Sequence, residues 1–195
     1  MKIIIVNRPI DQQQFDTFPK VDIIPDSAII KEGKPFFVPN FSSSWKYEIT
    51  IVFRIIRLGK NIAVKFANRY YDAIAIAART IPVDIRSTES ALSTVFDGSF
   101  ILGDWINLDQ IQQDNDLSIK ISNNNFTLNL SHLAIDETIA QLSKYLTLKI
   151  GDIIAPATIP IIGDIKINTI IEGQLNDNLN IKLKFKAKFV SSIVT

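Results

Sequence analysis

The sequence predicts a mainly β fold with few helices, an α+β domain, and three observations carry that prediction. Isoleucine fills 36 of the 195 positions, and this β-branched residue packs best on a pleated, half-buried surface. Glu48 to Leu58 is a long, mostly apolar segment, Glu-Ile-Thr-Ile-Val-Phe-Arg-Ile-Ile-Arg-Leu, as expected of a buried strand. Near the C-terminal end, Ile181, Leu183, Phe185 and Ala187 alternate with Lys182, Lys184, Lys186 and Lys188. That period of two gives a strand one buried face and one solvated face. A chain of this length can bury one core, so residues 1–195 are read as a single domain, with 1–22 an N-terminal strand and loop.

The elements follow in order. Residues 1–10 read as a strand around Ile3-Ile4-Ile5-Val6, and the polar stretch 11–22 reads as loop. Ile23 to Ile30 and Pro35 to Pro39 are short apolar segments, and Lys31-Glu32-Gly33-Lys34 is a turn between them. Gly59-Lys60-Asn61 ends the long strand, and Lys65 to Tyr71 reads as a short helix. Ala73 to Ile81 alternates Ala with Ile and suits either a buried strand or a tight helix. Asn123-Asn124-Asn125 reads as a turn. Asp136 reads as the N-cap of a helix reaching Leu146, with Ile139, Leu142 and Leu146 on one face. Residues 165–172 are the expected partner of the last strand, across a turn at Asn176-Asp177-Asn178.

Composition excludes several function classes. The chain has no cysteine, which removes disulfides, thiolate metal sites and a cysteine nucleophile. Lys and Arg number 21 against 20 Asp and Glu, so no nucleic-acid or membrane partner is expected. The opening apolar run is too short for a signal peptide, and the stretch from Ile153 to Gly163 is broken by Pro156 and Pro160, so it cannot span a bilayer. A cytoplasmic location is the expectation. The lysine row at 182–188 reads as a solvated strand face that discourages edge pairing rather than as an anion site. No serine sits in a nucleophile elbow, and the 7 glycines form no phosphate loop.

Three segments carry a resemblance. Pro25-Asp26-Ser27-Ala28-Ile29-Ile30 leads through Pro35-Phe36-Phe37-Val38-Pro39 to Tyr47-Glu48-Ile49-Thr50-Ile51-Val52. Phe96-Asp97-Gly98-Ser99 is the second segment. Leu148-Lys149-Ile150-Gly151-Asp152-Ile153-Ile154, preceded by the helix, is the third and most specific. In order and spacing these are similar to the fumarylacetoacetate hydrolase family over roughly residues 1–190. The resemblance implies a mixed β-sandwich or β-roll, as in that family's C-terminal domain, and a homodimer. It also implies a Mg²⁺, Mn²⁺ or Ca²⁺ site built on a Glu-x-Glu strand pair plus an Asp ahead of a Thr-Ala-Arg-Asp-like segment. Residues i and i+2 of a strand share a face, so such a pair can grip one ion.

Position by position, this chain departs from the family's pattern. Glu48 keeps the first carboxylate, but Thr50 stands at the second. The Asp position falls on Arg79 in one register and on Ala75 in another. The family lysine before Phe-Asp is Thr94. No histidine follows Asn7-Arg8-Pro9-Ile10, and the sole histidine, His132, reads as structural. The Gly-Thr-Pro loop becomes Ala157-Thr158-Ile159, keeping Thr158 without its glycine. Glu48 alone should not hold a metal, and Arg79 is expected to pair with it instead.

The vestigial site is thus Glu48, Thr50, Arg79, Thr94 and Thr158, with no catalytic residue and no cofactor expected. The sequence points to a non-catalytic family member, a pseudoenzyme kept for binding or assembly, with a small carboxylic acid as a candidate ligand of Arg79. The alternative is a Mg²⁺- or Mn²⁺-dependent hydrolase, decarboxylase or isomerase acting on 2-oxo or acylpyruvate-type acids.

Overall fold

The computed structural model describes residues 1–10, 12, 19–31, 33–86, 91–111, 116–121, 124–168, 170–175 and 181–189. The chain opens with β1 (Lys2–Val6), β2 (Val21–Pro25), a 3-10 turn at Asp26–Ala28, β3 (Ile29–Lys31) and β4 (Phe36–Val38). The long strands β5 (Trp45–Ile55) and β6 (Tyr71–Pro82) flank the one-turn α1 (Val64–Ala67). Then come α2 (Val83–Arg86), α3 (Leu92–Val95), β7 (Phe100–Leu102), β8 (Ile106–Asn107), β9 (Asp116–Ile121) and β10 (Asn124–Asn129). The helix α4 (Ile135–Tyr145) precedes β11 (Ile153–Ala155), β12 (Ile162–Asp164), β13 (Ile170–Leu175) and β14 (Ile181–Phe189). The fold is mainly β with few helices, as the composition predicts.

Two mixed sheets are formed. The larger follows the order β2-β1-β11-β5-β6-β7-β3, with β12 also on β5 and β8 on β6; the smaller is β10-β9-β13-β14-β4. The two ends of the larger path, β2 and β3, are consecutive in sequence. Seven flat strands at about 4.8 Å spacing would put these edges about 29 Å apart. The link from Pro25 to Ile29 reaches roughly 14 Å even when fully extended. The sheet must therefore curl into a roll.

That curl explains the Ala/Ile alternation. On β6, Ala75 and Ala77 point into the roll with Ile3, Ile5, Ile24, Val52, Phe100 and Ile153. Ile74 and Ile76 point outward, into the core shared with Leu117, Ile119, Ile171 and Leu175 of the small sheet and Ile139 and Leu142 of α4. A narrow interior takes small side chains, while the space between the sheets takes large ones. The segment is a strand because β5 pairs with it along nearly its whole length.

Other expectations shift. Asp136 is not the N-cap of α4: Ala134 holds that position at φ 49°, and Asp136 lies in the first turn, accepting a 3.0 Å hydrogen bond from Tyr71 Oη. Ile139 and Leu142 are buried and Leu146 packs on the same core, as expected. The expected loop 11–22 overlaps β2 at Val21 and Asp22, and the partner of β14 is 170–175 rather than 165–172. The long strand starts earlier, at Trp45, and ends at Ile55 after a bulge, while α1 is only one turn of the expected 65–71 helix. Lys186 and Lys188 are exposed around buried Ala187, in keeping with the alternating pattern. Glu32, Asn123 and the turn at 176–178 lie outside the described residues.

The third sequence segment is a structural clasp. Gly151, at φ 85°, lets the chain turn so that its N–H reaches Ile55 O at 2.8 Å. Asp152, 1% exposed, then accepts Lys149 N at 2.9 Å and Lys2 N at 3.0 Å, and Lys2 Nζ closes on its second oxygen. The carboxylate thereby ties the start of β1 to the turn ahead of β11, and the backbone of Gly151 and Asp152 holds the end of β5.

Candidate functional site

Strand pairing places Glu48 opposite Arg79, Thr50 opposite Ala77 and Val52 opposite Ala75, all on the inner face of the roll. Both registers considered for the missing Asp, at Ala75 and at Arg79, therefore point inward. On β2, Asp22 stands opposite Ile5, so it shares that face too.

Arg79 is the hub. Its Nη1 lies 2.7 Å from Asp22 Oδ2, and its Nε lies 3.7 Å from Glu48 Oε2. The first is a charge-assisted hydrogen bond; the second is an ion pair too long to be one. Asn7 Nδ2 donates to the same Asp22 oxygen at 3.2 Å. The Arg79 side chain is 5% exposed, Glu48 11% and Asp22 27%. Two carboxylates face one guanidinium, so the network carries a formal excess of one negative charge. The expected Glu48–Arg79 pair is present, but the tighter partner is Asp22, which the sequence reading placed in a loop. Reading Val21-Asp22-Ile23-Ile24 as a strand would have put Asp22 on the face of Ile24.

The remaining positions serve the backbone. Thr50 Oγ1 donates to Ala157 O at 3.3 Å, tying β5 to the loop after β11. Thr158 donates both its N–H and its Oγ1 to Arg8 O, at 2.8 and 3.3 Å. Thr94 sits on α3, its Oγ1 donating to Ala91 O at 2.9 Å and its own carbonyl accepting Ser99 Oγ at 2.7 Å. The hydrogen bonds of Thr94 and Thr158 thus run to backbone, away from Arg79. The Phe96-Asp97-Gly98-Ser99 segment is a turn fastened to β6 by Thr80, whose Oγ1 donates to Gly98 O at 2.9 Å. His132 is exposed on a 3-10 turn, Leu130–Leu133. A second buried arginine, Arg8, donates to Leu133 O at 2.9 Å; burial pulls its guanidinium below the ordinary value, and Glu137 opposes the shift.

The inner-face donors do not suit a dication. Among the described residues, no group of three or more His, Cys, Asp or Glu side chains could hold a metal ion. Two carboxylates do converge, but a guanidinium lies between them, hydrogen-bonded to Oδ2 of Asp22.

The family described as fumarylacetoacetate hydrolase C-terminal matches residues 5–175. The chain belongs to the fumarylacetoacetate hydrolase family. Solved structures of similar fold include a fumarylpyruvate hydrolase from Pseudomonas aeruginosa in complex with Mn²⁺ and pyruvate. It is 18% identical, with a TM-score of 0.79 over 97% of this chain and 90% of that one. A 5-carboxymethyl-2-hydroxymuconate delta-isomerase from Mycobacterium smegmatis is 18% identical, with a TM-score of 0.82 over 98% and 80%. A 2-hydroxyhepta-2,4-diene-1,7-dioate isomerase from Mycobacterium marinum is also 18% identical, at 0.81 over 98% and 75%. No curated relative matches the chain by sequence. At identities this low, the structural likeness shows a shared fold and nothing more. No helix among the described residues is long and apolar enough to cross a membrane.

Proposed function

We propose that this member of the fumarylacetoacetate hydrolase family is non-catalytic, with an internal ion-pair network where its relatives would place a divalent ion. The observation that carries the reading is the 2.7 Å contact between Arg79 and Asp22, with Glu48 on the other side of the guanidinium. A dication about 4 Å from a guanidinium is repelled by about 8 kcal/mol at an effective dielectric of 20, twice the figure for unit charges. That repulsion offsets the attraction of one carboxylate at the same distance. The fold then serves binding or assembly, as a cytoplasmic homodimer without bound Mg²⁺ or Mn²⁺. A small carboxylic acid would have to compete with Asp22 and Glu48 for Arg79, so we give that ligand second place.

The test is thermal denaturation with and without Mn²⁺ or Mg²⁺. A site with a Kd near 10 µM would add about 2.7 kcal/mol at about 1 mM free ion. No specific rise in Tm is expected. A rise of several degrees that disappears in Glu48→Ala would overturn the reading. The activities of the solved relatives favour the second possibility, metal-dependent hydrolysis, decarboxylation or isomerisation of acylpyruvate-type acids. Turnover of such an acid that requires Mn²⁺ and is lost in Glu48→Ala would establish it.

A further inference from the structure

The even total of acidic and basic residues hides an uneven distribution. From Ile55 to Tyr71 the chain carries Arg57, Lys60, Lys65 and Arg69 and no acidic residue; from Thr138 to Gly151 it carries Lys144 and Lys149 and again none. The fold fastens these two segments together beyond the end of β5. Gly59 and Leu148 exchange backbone hydrogen bonds of 3.0 and 2.9 Å, and Asn61 N donates to Ser143 O at 2.9 Å. Ile62 N donates to Ser143 Oγ at 2.8 Å. All six cations are exposed. The antiparallel bridge also sets directions: Leu148 is buried, so the flanking Leu58, Lys60 and Lys149 face the other way, into solvent. On and just after α1, Lys65 Nζ and Arg69 Cζ each lie 4.9 Å from the centroid of the exposed Phe66 ring.

Acids at the margin do not cancel this charge. Asp72 is held by Arg54 at 2.7 and 2.9 Å, Asp152 by Lys2, and Asp26 lies 3.7 Å from the Met1 amino group. Among the described residues, none of the six cations has a carboxylate partner. Setting Asp104, next to the Trp105 ring that lies under Arg54, against the six still leaves an excess of five. Large apolar side chains stand among these charges. Leu58 is 66% exposed and Ile150 72%, and Val64 is exposed beside Phe66. Single exposed apolar residues are ordinary, but these share two adjoining segments with all six cations.

We propose that this end of the molecule docks on an anionic lipid surface, with Leu58, Phe66 and Ile150 entering the interface and the cations on lipid headgroups. Each Lys or Arg near such a surface adds attraction, and apolar side chains gain by burial at the acyl boundary. Two other occupants fit less well. A second copy related by a two-fold axis would set the same cations against one another. A nucleic acid would neutralise the cations but leave Leu58 and Ile150 in water. Because the chain's formal total is only +1, the rest of its surface is net negative. Anionic lipid repels that remainder, so docking takes one orientation. The proposal does not rest on the state of the Arg79 network.

The test is co-sedimentation of the whole chain with phosphatidylcholine vesicles, with and without about 30 mol % phosphatidylserine. Binding is expected only with phosphatidylserine, and it should weaken about tenfold or more between about 0.1 and about 0.5 M salt. Lys65→Gln with Arg69→Gln should cut partitioning about 25-fold, roughly fivefold for each charge. Leu58→Ser with Ile150→Ser should cut it about tenfold and leave the salt dependence intact. Lys46→Gln, an exposed lysine at the far end of β5, should change nothing. All these positions are exposed, so the variants should fold, and circular dichroism checks that they do. Four outcomes would overturn the proposal: equal sedimentation with and without phosphatidylserine; partitioning unmoved by the Lys65 and Arg69 changes; binding to a polyuridine strand but not to vesicles; or a dimer lost in Leu58→Ser with Ile150→Ser while no form binds vesicles.

Discussion

Asp152 and Glu48 are both buried carboxylates, and their surroundings differ in kind. Asp152 receives two backbone N–H groups and an ammonium, so its charge is satisfied within the fold. Among the described residues, Glu48 meets the edge of a guanidinium at 3.7 Å, and that guanidinium is hydrogen-bonded to Asp22. The segment around Asp152 is where the resemblance to the family is most specific, and in this chain its work is structural. The segments around Glu48, Thr50 and Arg79 are where the sequence departs from the family's pattern. A scaffold motif and a chemical motif can therefore part company in one chain, because backbone geometry and ion coordination make separate demands on sequence.

The largest effect should come from breaking the clasp. Asp152→Ala leaves Lys2 N and Lys149 N without their acceptor and strips Lys2 Nζ of its partner. We expect a loss of about 3–5 kcal/mol, read by urea denaturation. A loss below about 1 kcal/mol would mean that the clasp is not a stability element, and the contrast with Glu48 would fail.

The next effect separates the two partners of Arg79. In double-mutant cycles with Arg79→Met, Asp22→Asn should show a coupling of about 2 kcal/mol and Glu48→Gln about 1 or less. The sequence alone suggested that removing Glu48 would strand a buried cation. The structure corrects this, because Asp22 still holds Arg79. Equal couplings would place the guanidinium midway between the acids. A larger Glu48 term would restore the sequence-based pairing.

The smallest effect concerns a third carboxylate, the half-buried Asp136. Burial pushes the Asp136 carboxyl above its ordinary value, and the hydrogen bond from Tyr71 pulls the other way. A raised folded-state pKa means that the fold prefers the neutral acid. That preference is fully present below the ordinary carboxylate range and is lost as pH rises through the raised value. Asp136→Asn should therefore be slightly more stable than the parent at pH 7, and the gap should close towards pH 3. Thermal melts across that range check the sign. A gap that widens on acidification would show that the Tyr71 bond and the helix dipole dominate instead.

The strand-rich fold, the last strand's alternation and the buried face of α4 were legible in the residues, because they follow from local periodicity. So was the departure from the family's carboxylate pattern at Thr50 and Arg79, since neither side chain is a carboxylate in any conformation. The Ala/Ile alternation of residues 73–81 was legible as a pattern but not as a strand. Short apolar runs fit either period, and only pairing with β5 decides. The cap of α4 was misplaced for a related reason. Asp136 has an acceptor suited to capping, yet Tyr71, 65 residues away, claims it.

The sequence by itself determined that this chain has a β-rich core and one carboxylate where its relatives' pattern has several. Only the tertiary structure decided which acid Arg79 holds. Asp22 lies in a polar stretch that reads as loop, and what brings it to the inner face is the curl that joins β2 to β3. That curl is set by the order of strands across the sheet, a long-range property that neighbouring residues do not encode.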